Sequence, residues 1–336
     1  MGDFYKDKRV LITGGTGSIG SEIVREVLSR GPAVVRVFSR DETKHYMLQE
    51  ELGPRADVRY LVGDVRDRYR LRRAFEGVHV VIHAAALKHV PSCEYNPFEA
   101  VQTNVVGTQN VIDAAIDAGV KHLVAISTDK AVVPVFTMGA TKLLAEKIVI
   151  ASQMWARDLK LACVRFGNVL GSRGSVVPVV RAQVEAGKPV TITDPNMTRF
   201  VMSIRQAARL TLEAVERATG GETFILKQMA AVKVGDLVHA VAEETCARSG
   251  RDPASVRFEV TTPRAGENIH ERLLADVELS RVKNLGEMFV VHPFAAFERM
   301  EKFKADRVAP GMYLSDKAKP RSLAWIRRVL REEKLV

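Results

Sequence analysis

The residues best equipped for chemistry stand close together, as Ser127-Thr128-Asp129-Lys130 and, shortly after, Met138-Gly139-Ala140-Thr141-Lys142. Asp129 and Lys130 set a carboxyl beside an amine, a pair suited to proton donation and proton removal at neighbouring atoms of one substrate. Met138 and Lys142 are four positions apart and so share one face of a helix. A thioether neither ionises nor carries a proton, so proton transfer beside Lys142 has to come from other groups, and Asp129 and Lys130 are the obvious ones. Both roles demand shifted pKa values, because a free Lys sits near ~10.4 and a free Asp near ~3.9. Burial would lower the amine and raise the carboxyl, and the cationic Lys142 would help to lower Lys130, whereas attraction within the pair opposes both shifts. The plain alternative, a surface turn or ion pair, sits badly with a position between the apolar run from His122 to Ile126 and the Met138 helix.

A second constellation lies near the N-terminus, where Gly14-Gly15-Thr16-Gly17-Ser18-Ile19-Gly20 follows an apolar run and opens a helical pattern. Gly14, Gly17 and Gly20 have the spacing that allows a tight turn, close backbone approach to a pyrophosphate and helix-to-strand packing, with the helix N-terminus attracting the negative charge. The next apolar run ends in Phe38-Ser39-Arg40-Asp41, with Lys44 one turn on; Ser39, Arg40 and Lys44 favour NADP, while Asp41 keeps NAD open. Gly63-Asp64-Val65 is placed to meet the adenine, and Ala84-Ala85-Ala86 lets the backbone pass close to the cofactor. For Asp64 the competing reading is a capping or turn carboxylate.

The elements that must position these residues alternate as β-α-β units, which predicts an α/β fold of the Rossmann type, a doubly wound parallel sheet. Strands are expected at 9–13, 34–38, 58–62, 78–83, 122–126 and 161–166, apolar on both faces as a covered sheet requires. Helices fit at 19–30, 42–52, 68–75, 98–117 and 138–156. Beyond Phe166 a glycine-rich stretch, Gly167 to Gly174, suits close approach to a ligand. Helices near 176–186, 204–218 and 233–248 and a short strand at 224–227 follow. This divides the chain into a cofactor-binding domain (1–170), a mainly substrate-binding lobe with segments returning to the first domain (171–315), and a basic C-terminal helix (316–336).

The 336 residues include no 18-residue apolar run, and the N-terminus leads straight into a strand, so a cytoplasmic protein without integral membrane contact is expected. Cys93, Cys163 and Cys246 are far apart and in no metal-ligand spacing, which reads as buried reduced thiols. The formal charge of +10 invites an anionic partner, yet the cations are scattered, only 6% of residues are aromatic and no nucleic-acid motif exists, so nucleic acid is not expected. In the basic tail Leu323, Ile326, Val329 and Leu330 share a face that suits packing on this chain or a neighbouring subunit better than a membrane anchor.

Taken together the chain resembles the extended short-chain dehydrogenase/reductases, and within them the UDP-N-acetylglucosamine 4,6-dehydratases and polysaccharide biosynthesis proteins, from about Lys8 to Glu278. Besides the glycine loop, the residues that carry this are Ala84 to Pro91, Glu94-Tyr95-Asn96-Pro97, Thr103 to Thr108, Ser127 to Val132 and Met138 to Lys142. Further on they are Arg165 to Val169, Gly171 to Pro178, Met197-Thr198-Arg199-Phe200 and Arg264 to Glu271. The superfamily's hydroxyl, Tyr and Lys triad falls on Thr128, Met138 and Lys142, which places the chain in a Met-for-Tyr branch.

The resemblance implies a homo-oligomer acting on UDP-N-acetylglucosamine or a related UDP-sugar with tightly bound NADP, NAD being the lesser alternative. Hydride leaves C4, the ketone acidifies the C5 proton, water is eliminated across C5 and C6, and hydride returns to C6. Lys130 is assigned as the C5 base and Asp129 as the C6 acid, with Asp129 also in place to take the C4 hydroxyl proton. Lys142 is expected on the nicotinamide ribose, Asn104 on backbone groups near the cofactor and Lys88 on cofactor or substrate. Asn168, Ser175, Val176, Met197, Thr198, Arg199, Arg264 and Glu267 are the positions implied for the sugar nucleotide, with Arg suited to its diphosphate. The competing functions are a UDP-sugar 4-epimerase, which needs no C5 base or C6 acid, and a non-catalytic NADP-binding protein, which would not need Asp129, Lys130 and Lys142 together.

Overall fold

The computed structural model describes residues 4–156, 158–227, 229–262, 267–294 and 304–336. The first units are β1 (Arg9–Thr13), α1 (Ser18–Leu28), β2 (Val34–Ser39), α2 (Glu42–Leu52), β3 (Val58–Val62), α3 (Arg68–Phe75) and β4 (Val80–His83). Then come α4 (Val90–Tyr95), α5 (Pro97–Val101), a π-helical turn (Gln102–Val106), α6 (Gly107–Asp117), β5 (His122–Ile126), α7 (Thr137–Ser152) and β6 (Lys160–Arg165). The remainder holds β7 (Asn168–Val169), α8 (Val176–Glu185), β8 (Val190–Ile192), β9 (Thr198–Met202), α9 (Ile204–Arg217), β10 (Glu222–Leu226) and β11 (Ala230–Lys233). It ends with α10 (Val234–Ser249), β12 (Phe258–Val260), β13 (Val282–Leu285), β14 (Met288–Val291) and α11 (Leu323–Glu332).

Nine strands form the main sheet in the order β13-β14-β10-β6-β5-β4-β1-β2-β3. All neighbours from β3 to β10 are parallel, and β14 and β13 are added antiparallel. Alternation along each strand builds both faces. Val10, Ile12, Val35, Val37, Val80 and Ile82 point into one core with Ile23 and Val27 of α1 and Ala208 and Leu212 of α9. Leu11, Phe38, Val81, Leu123 and Leu161 point into the other with Leu71 and Phe75 of α3, Ile112 of α6 and Val149 of α7. A sheet covered on both sides is thus the double-sided Rossmann architecture expected from the apolar runs. The order reverses at β1, which lies between β2 and β4, and such a switch point opens a crevice at the carboxyl ends of the strands.

Local capping fixes where the helices begin. Asp41 and Asp67 accept the Lys44 and Arg70 backbone N–H groups at the starts of α2 and α3, and Ser203 forms a reciprocal capping box with Gln206 at α9. Two expectations need correction. β3 is not covered on both faces, because it is the edge strand and leaves Arg59 and Val62 exposed. The helix expected at 98–117 is divided by the π-helical turn into α5 and α6.

Segments of 171–315 divide between two places: β10, β13 and β14 join the main sheet, while β11 and β9 make a small separate sheet with β7 of the preceding segment, and β12 pairs with β8. Val177, Val180, Leu237 and Val241 of α8 and α10 form a third core, which Ile326 and Leu330 of α11 complete. The tail therefore packs on its own chain, where Arg331 also donates to both carboxylate oxygens of Glu244 at 2.7 and 2.8 Å. All three cysteines are buried and free.

Candidate active site

At the switch point the glycine loop is shaped for close approach. Gly14 has φ +66°, and a Cβ there would lie 2.7 Å from the Ala84 carbonyl carbon and the Ala85 nitrogen. At Gly20 a Cβ would meet the Gly14 oxygen at 2.2 Å, so α1 touches the turn itself. Its N-cap, Gly17, makes no side-chain cap hydrogen bond, so the first-turn N–H groups face the crevice as an anion cradle. The Thr16 hydroxyl donates to Ser39 Oγ at 2.8 Å, and Ile19 packs into the core behind the loop. A cleft of about 170 Å³ runs from here past Gly14, Gly17, Ser39, Arg40, Lys44, Asp64, Val65, Ala84, Ala85 and Ala86. Thr103 also lines it, with a buried hydroxyl that has no partner among the described residues. These features fit a dinucleotide.

The charges at the end of β2 differ from the expectation. Lys44 is paired with Asp41, and Arg40 lies 3.5 Å from Asp64, so each cation proposed for a 2′-phosphate already faces a carboxylate. Asp64 accepts the Arg66 backbone N–H at 2.9 Å and its guanidinium at 3.0 and 2.8 Å, which makes it the turn carboxylate of the competing reading as well as a cleft wall. Burial opposes its charge, but Arg66 outweighs burial and holds Asp64 below the usual carboxylate range. Arg173, which the sequence does not single out, also lines the cleft. Its N–H donates to Ser18 Oγ at 3.0 Å and its guanidinium to the Thr16 carbonyl.

The turn that carries Asp129 and Lys130 follows β5. Ser127 N–H donates to Val164 O at 2.7 Å and Asp129 N–H to Phe166 O at 3.0 Å, which fixes the turn against the end of β6. Gly139 supports it from the other side, since a Cβ there would stand 2.4 Å from the Lys130 carbonyl oxygen. Asp129 is 2% exposed. Lys130 Nζ lies 3.0 Å from Asp129 Oδ1, 3.0 Å from Asn168 Oδ1 and 3.2 Å from Glu271 Oε1. The Thr128 hydroxyl donates to Asp129 Oδ1 at 2.8 Å, while Asp129 Oδ2 is buried with no partner among the described residues.

The balance left open for Lys130 falls on the raised side. Burial lowers it, but the carboxylates of Asp129 and Glu271 prevail and raise it, with Arg199 opposing. Glu271 itself is pushed up by burial and by Asp129. Lys142 is lowered by burial, and its Nζ donates to Ile126 O at 2.5 Å. Met138 is buried in an apolar cluster with Cys93 and Ala100, so it fills space beside the site and takes no part in proton transfer. Asn104, on the π-helical turn, binds Leu87 at both backbone groups, 2.8 Å from N and 3.0 Å from O, and donates to Thr141 Oγ1 at 3.0 Å. It positions the 84–88 loop. Lys88 bridges from that loop to Ser172 Oγ at 3.4 Å.

The residues expected on the sugar nucleotide fall into two groups. Asn168 reaches Lys130, and Ser175 stands at the N-cap of α8, next to Val176, with a buried unpartnered hydroxyl. Met197, Thr198 and Arg199 instead look inward. Thr198 Oγ1 bonds His270 Nδ1 at 2.8 Å and Ser315 Oγ at 2.7 Å, and Met197 is 1% exposed. The Arg199 guanidinium donates to the carbonyls of Thr198, Ile269 and Asn268 at 2.9, 3.0 and 2.8 Å, so it is a strut for the segment carrying Glu267 and Glu271, not an open diphosphate clamp. Glu267 lies 3.9 Å from it. Arg264 lies outside the described residues. Glu271 was missed as a site residue: a single acid in a loop has no periodicity to reveal its partner.

The chain is similar to known proteins over most of its length. It is 50% identical over 296 residues, 88% of each chain, to a protein of Methanocaldococcus jannaschii named an uncharacterized membrane protein. Among the described residues no helix is long and apolar enough to cross a membrane. It is 39% identical over 297 residues, 87% of this chain and 85% of the other, to a UDP-N-acetylglucosamine 4,6-dehydratase (inverting) of Campylobacter jejuni. It is also 39% identical over 291 residues, 85% and 83%, to a UDP-glucose 4-epimerase of Rickettsia rickettsii. The crystal structure of Pen from Bacillus thuringiensis superposes with a TM-score of 0.92 at 40% identity, covering 99% of both chains. The pattern of the polysaccharide biosynthesis proteins matches residues 10–293, and to that family the chain belongs.

Proposed function

We propose that this protein is a nucleotide-sugar enzyme of the dehydratase/epimerase type, and specifically a 4,6-dehydratase of UDP-N-acetylglucosamine. The coarser statement has support from relatives named for both activities. The finer one rests on one observation: a buried Asp129 paired with a partly buried Lys130, with a carboxylate oxygen that has no partner among the described residues, near an apolar Met138. The glycine cradle fits a nicotinamide dinucleotide, which when bound would supply reversible hydride acceptance; for NADP, which we favour, the 2′-phosphate would have to draw Arg40 and Lys44 away from Asp64 and Asp41.

In this reading Lys130 takes the C5 proton in its neutral form, the minor one beside two carboxylates, and returns it to C5 when hydride reaches C6. Asp129 takes the C4 hydroxyl proton and passes it to the departing C6 hydroxyl. Asp129 Oδ2 is the atom at which that proton is held, since Oδ1 is occupied by Thr128 and Lys130. Asn168 keeps the Lys130 amine turned toward the sugar side, and Lys142 keeps the end of β5 in register with α7. Ser175 and the N-terminus of α8 offer donors for the diphosphate.

The test is incubation with UDP-N-acetylglucosamine and no added reductant, followed by mass spectrometry and proton NMR. Loss of one water with a new C6 methyl signal is expected. A second reading, a 4-epimerase, is favoured by the Rickettsia relative; an unchanged mass with a galacto-configured product would establish it and overturn the dehydratase.

A further inference from the structure

We propose that Glu271 is a positioning residue for this reaction: its carboxylate orients the Lys130 amine and stabilises the ammonium formed when that amine takes the substrate proton. The inference rests on the dehydratase reading. Lys130 Nζ meets three acceptors, Asp129 Oδ1, Asn168 Oδ1 and Glu271 Oε1, at 3.0, 3.0 and 3.2 Å. An ammonium has three N–H donors, so this set matches the protonated state group for group. Neutral Lys130 keeps two of these contacts with its lone pair turned to the substrate, and the ammonium formed on proton abstraction rotates about Cε–Nζ to restore the third. The carboxylates therefore favour the product of proton abstraction over the reactant, which strengthens the base.

Glu271 is held for this role from outside the catalytic turn. It is 3% exposed, its N–H donates to Ser315 Oγ at 2.8 Å, and its carbonyl accepts from Ser315 N–H at 3.0 Å. Arg199 stands 3.7 Å from the same carboxylate oxygen that contacts Lys130 and ties down the two preceding carbonyl-bearing residues, Asn268 and Ile269, nearby. A buried carboxylate with a fixed backbone and a partial counter-charge can be neither solvated nor displaced, so its field at Lys130 is constant through the reaction.

The sign of the effect follows. Removing a negative charge beside an ammonium lowers that ammonium's pKa, so Lys130 becomes a weaker base that is deprotonated at lower pH. Glu271→Gln should move the acid limb of the kcat profile down by about one pH unit and lower the plateau about tenfold. The KM for UDP-N-acetylglucosamine, and UDP affinity by calorimetry, should change less than about threefold, because Glu271 touches the base and not the nucleotide.

Lys130→Met is measured in parallel. If the unaltered protein does not dehydrate UDP-N-acetylglucosamine, the dehydratase reading itself fails; if Lys130→Met dehydrates it normally, Lys130 is not the base and the proposal for Glu271 is overturned. If Lys130→Met is inactive while Glu271→Gln keeps the wild-type limb and plateau, only the role of Glu271 is overturned. Should Glu271→Gln not fold, Glu271→Asp carries the test: a shorter carboxylate should give a smaller downward shift of the limb, and activity loss with no shift would mean a structural role and overturn the proposal.

Discussion

Two ion clusters, one anchored on Glu146 of α7 and the other in the turn after β5, are built to opposite specifications. In one, Arg165 is 2% exposed and all five of its N–H donors are used: two on Glu146 at 3.1 and 2.7 Å, two on Glu278 at 2.8 and 2.9 Å, and one on Leu273 O at 2.9 Å. Glu278 is further closed by the Ala275 N–H at 2.8 Å. In the other, two carboxylates compete for one lysine, and Asp129 Oδ2 is left open. Both clusters carry the desolvation cost of buried charge. Only the closed one recovers it fully in hydrogen bonds, and the lesson is that spare valence, not burial or charge, marks the cluster that can move a proton.

The sharpest way to break this contrast is to empty the closed cluster. Arg165→Met leaves Glu146 and Glu278 without their counter-charge, Glu278 keeping only the Ala275 N–H, and should cost about 3–5 kcal/mol in urea denaturation; a loss under about 1 kcal/mol would mean that the cluster is not the strut described. In the open cluster the damage should fall on rate. Asp129→Asn and Lys130→Ala should each cut dehydration about 10²-fold or more, and near-native turnover in either would remove the distinction. Between the clusters and the cofactor, Asn104→Ala strips Leu87 of both backbone partners, at a cost of about 1–3 kcal/mol; chemical denaturation and cofactor retention on gel filtration would report it.

The smallest effect, and the finest test, is in pH. Glu278 is held below its usual range because Arg165 and the Ala275 N–H outweigh burial, so its stabilisation is present above its unfolded pKa near ~4.3 and is lost as pH falls through the folded value. Glu271 is raised by burial and Asp129, so its stabilisation is present below the unfolded pKa and disappears as pH rises through the folded one. At neutral pH Glu278→Gln should therefore lower Tm, whereas Glu271→Gln should leave it unchanged or higher. Equal losses in both would erase the difference between the clusters.

What could be read from the chain and what could not follows from the range of each interaction. The glycine loop and the strand alternation are local, and Gly14, Gly17, Val10 and Leu11 stand where spacing puts them. Asp129-Lys130 was legible because the two are adjacent. Their pKa balance was not, since Glu271 arrives from a distant segment and adds to Asp129 in raising Lys130 against burial. Arg199 and Thr198 illustrate the same limit: an Arg in a motif reads as an anion binder, but loop carbonyls from 268–269 consume its donors. Short strands such as β7, with two residues, carry too little pattern to detect.

The π-helical turn at Gln102–Val106 has a consequence for inheritance. Such a turn spends one more residue than an α-helical turn over the same contour. A single-codon deletion there would heal the helix into regular form, and each residue on one side would rotate by roughly 100° about the axis relative to the other. Asn104 would then lose its hold on Leu87, or α6 would present a different stripe to the sheet. Length in this segment is thus under tighter constraint than residue identity, so homologous chains that keep the Asn104 clasp should show substitutions between Gln102 and Val106 but no gaps.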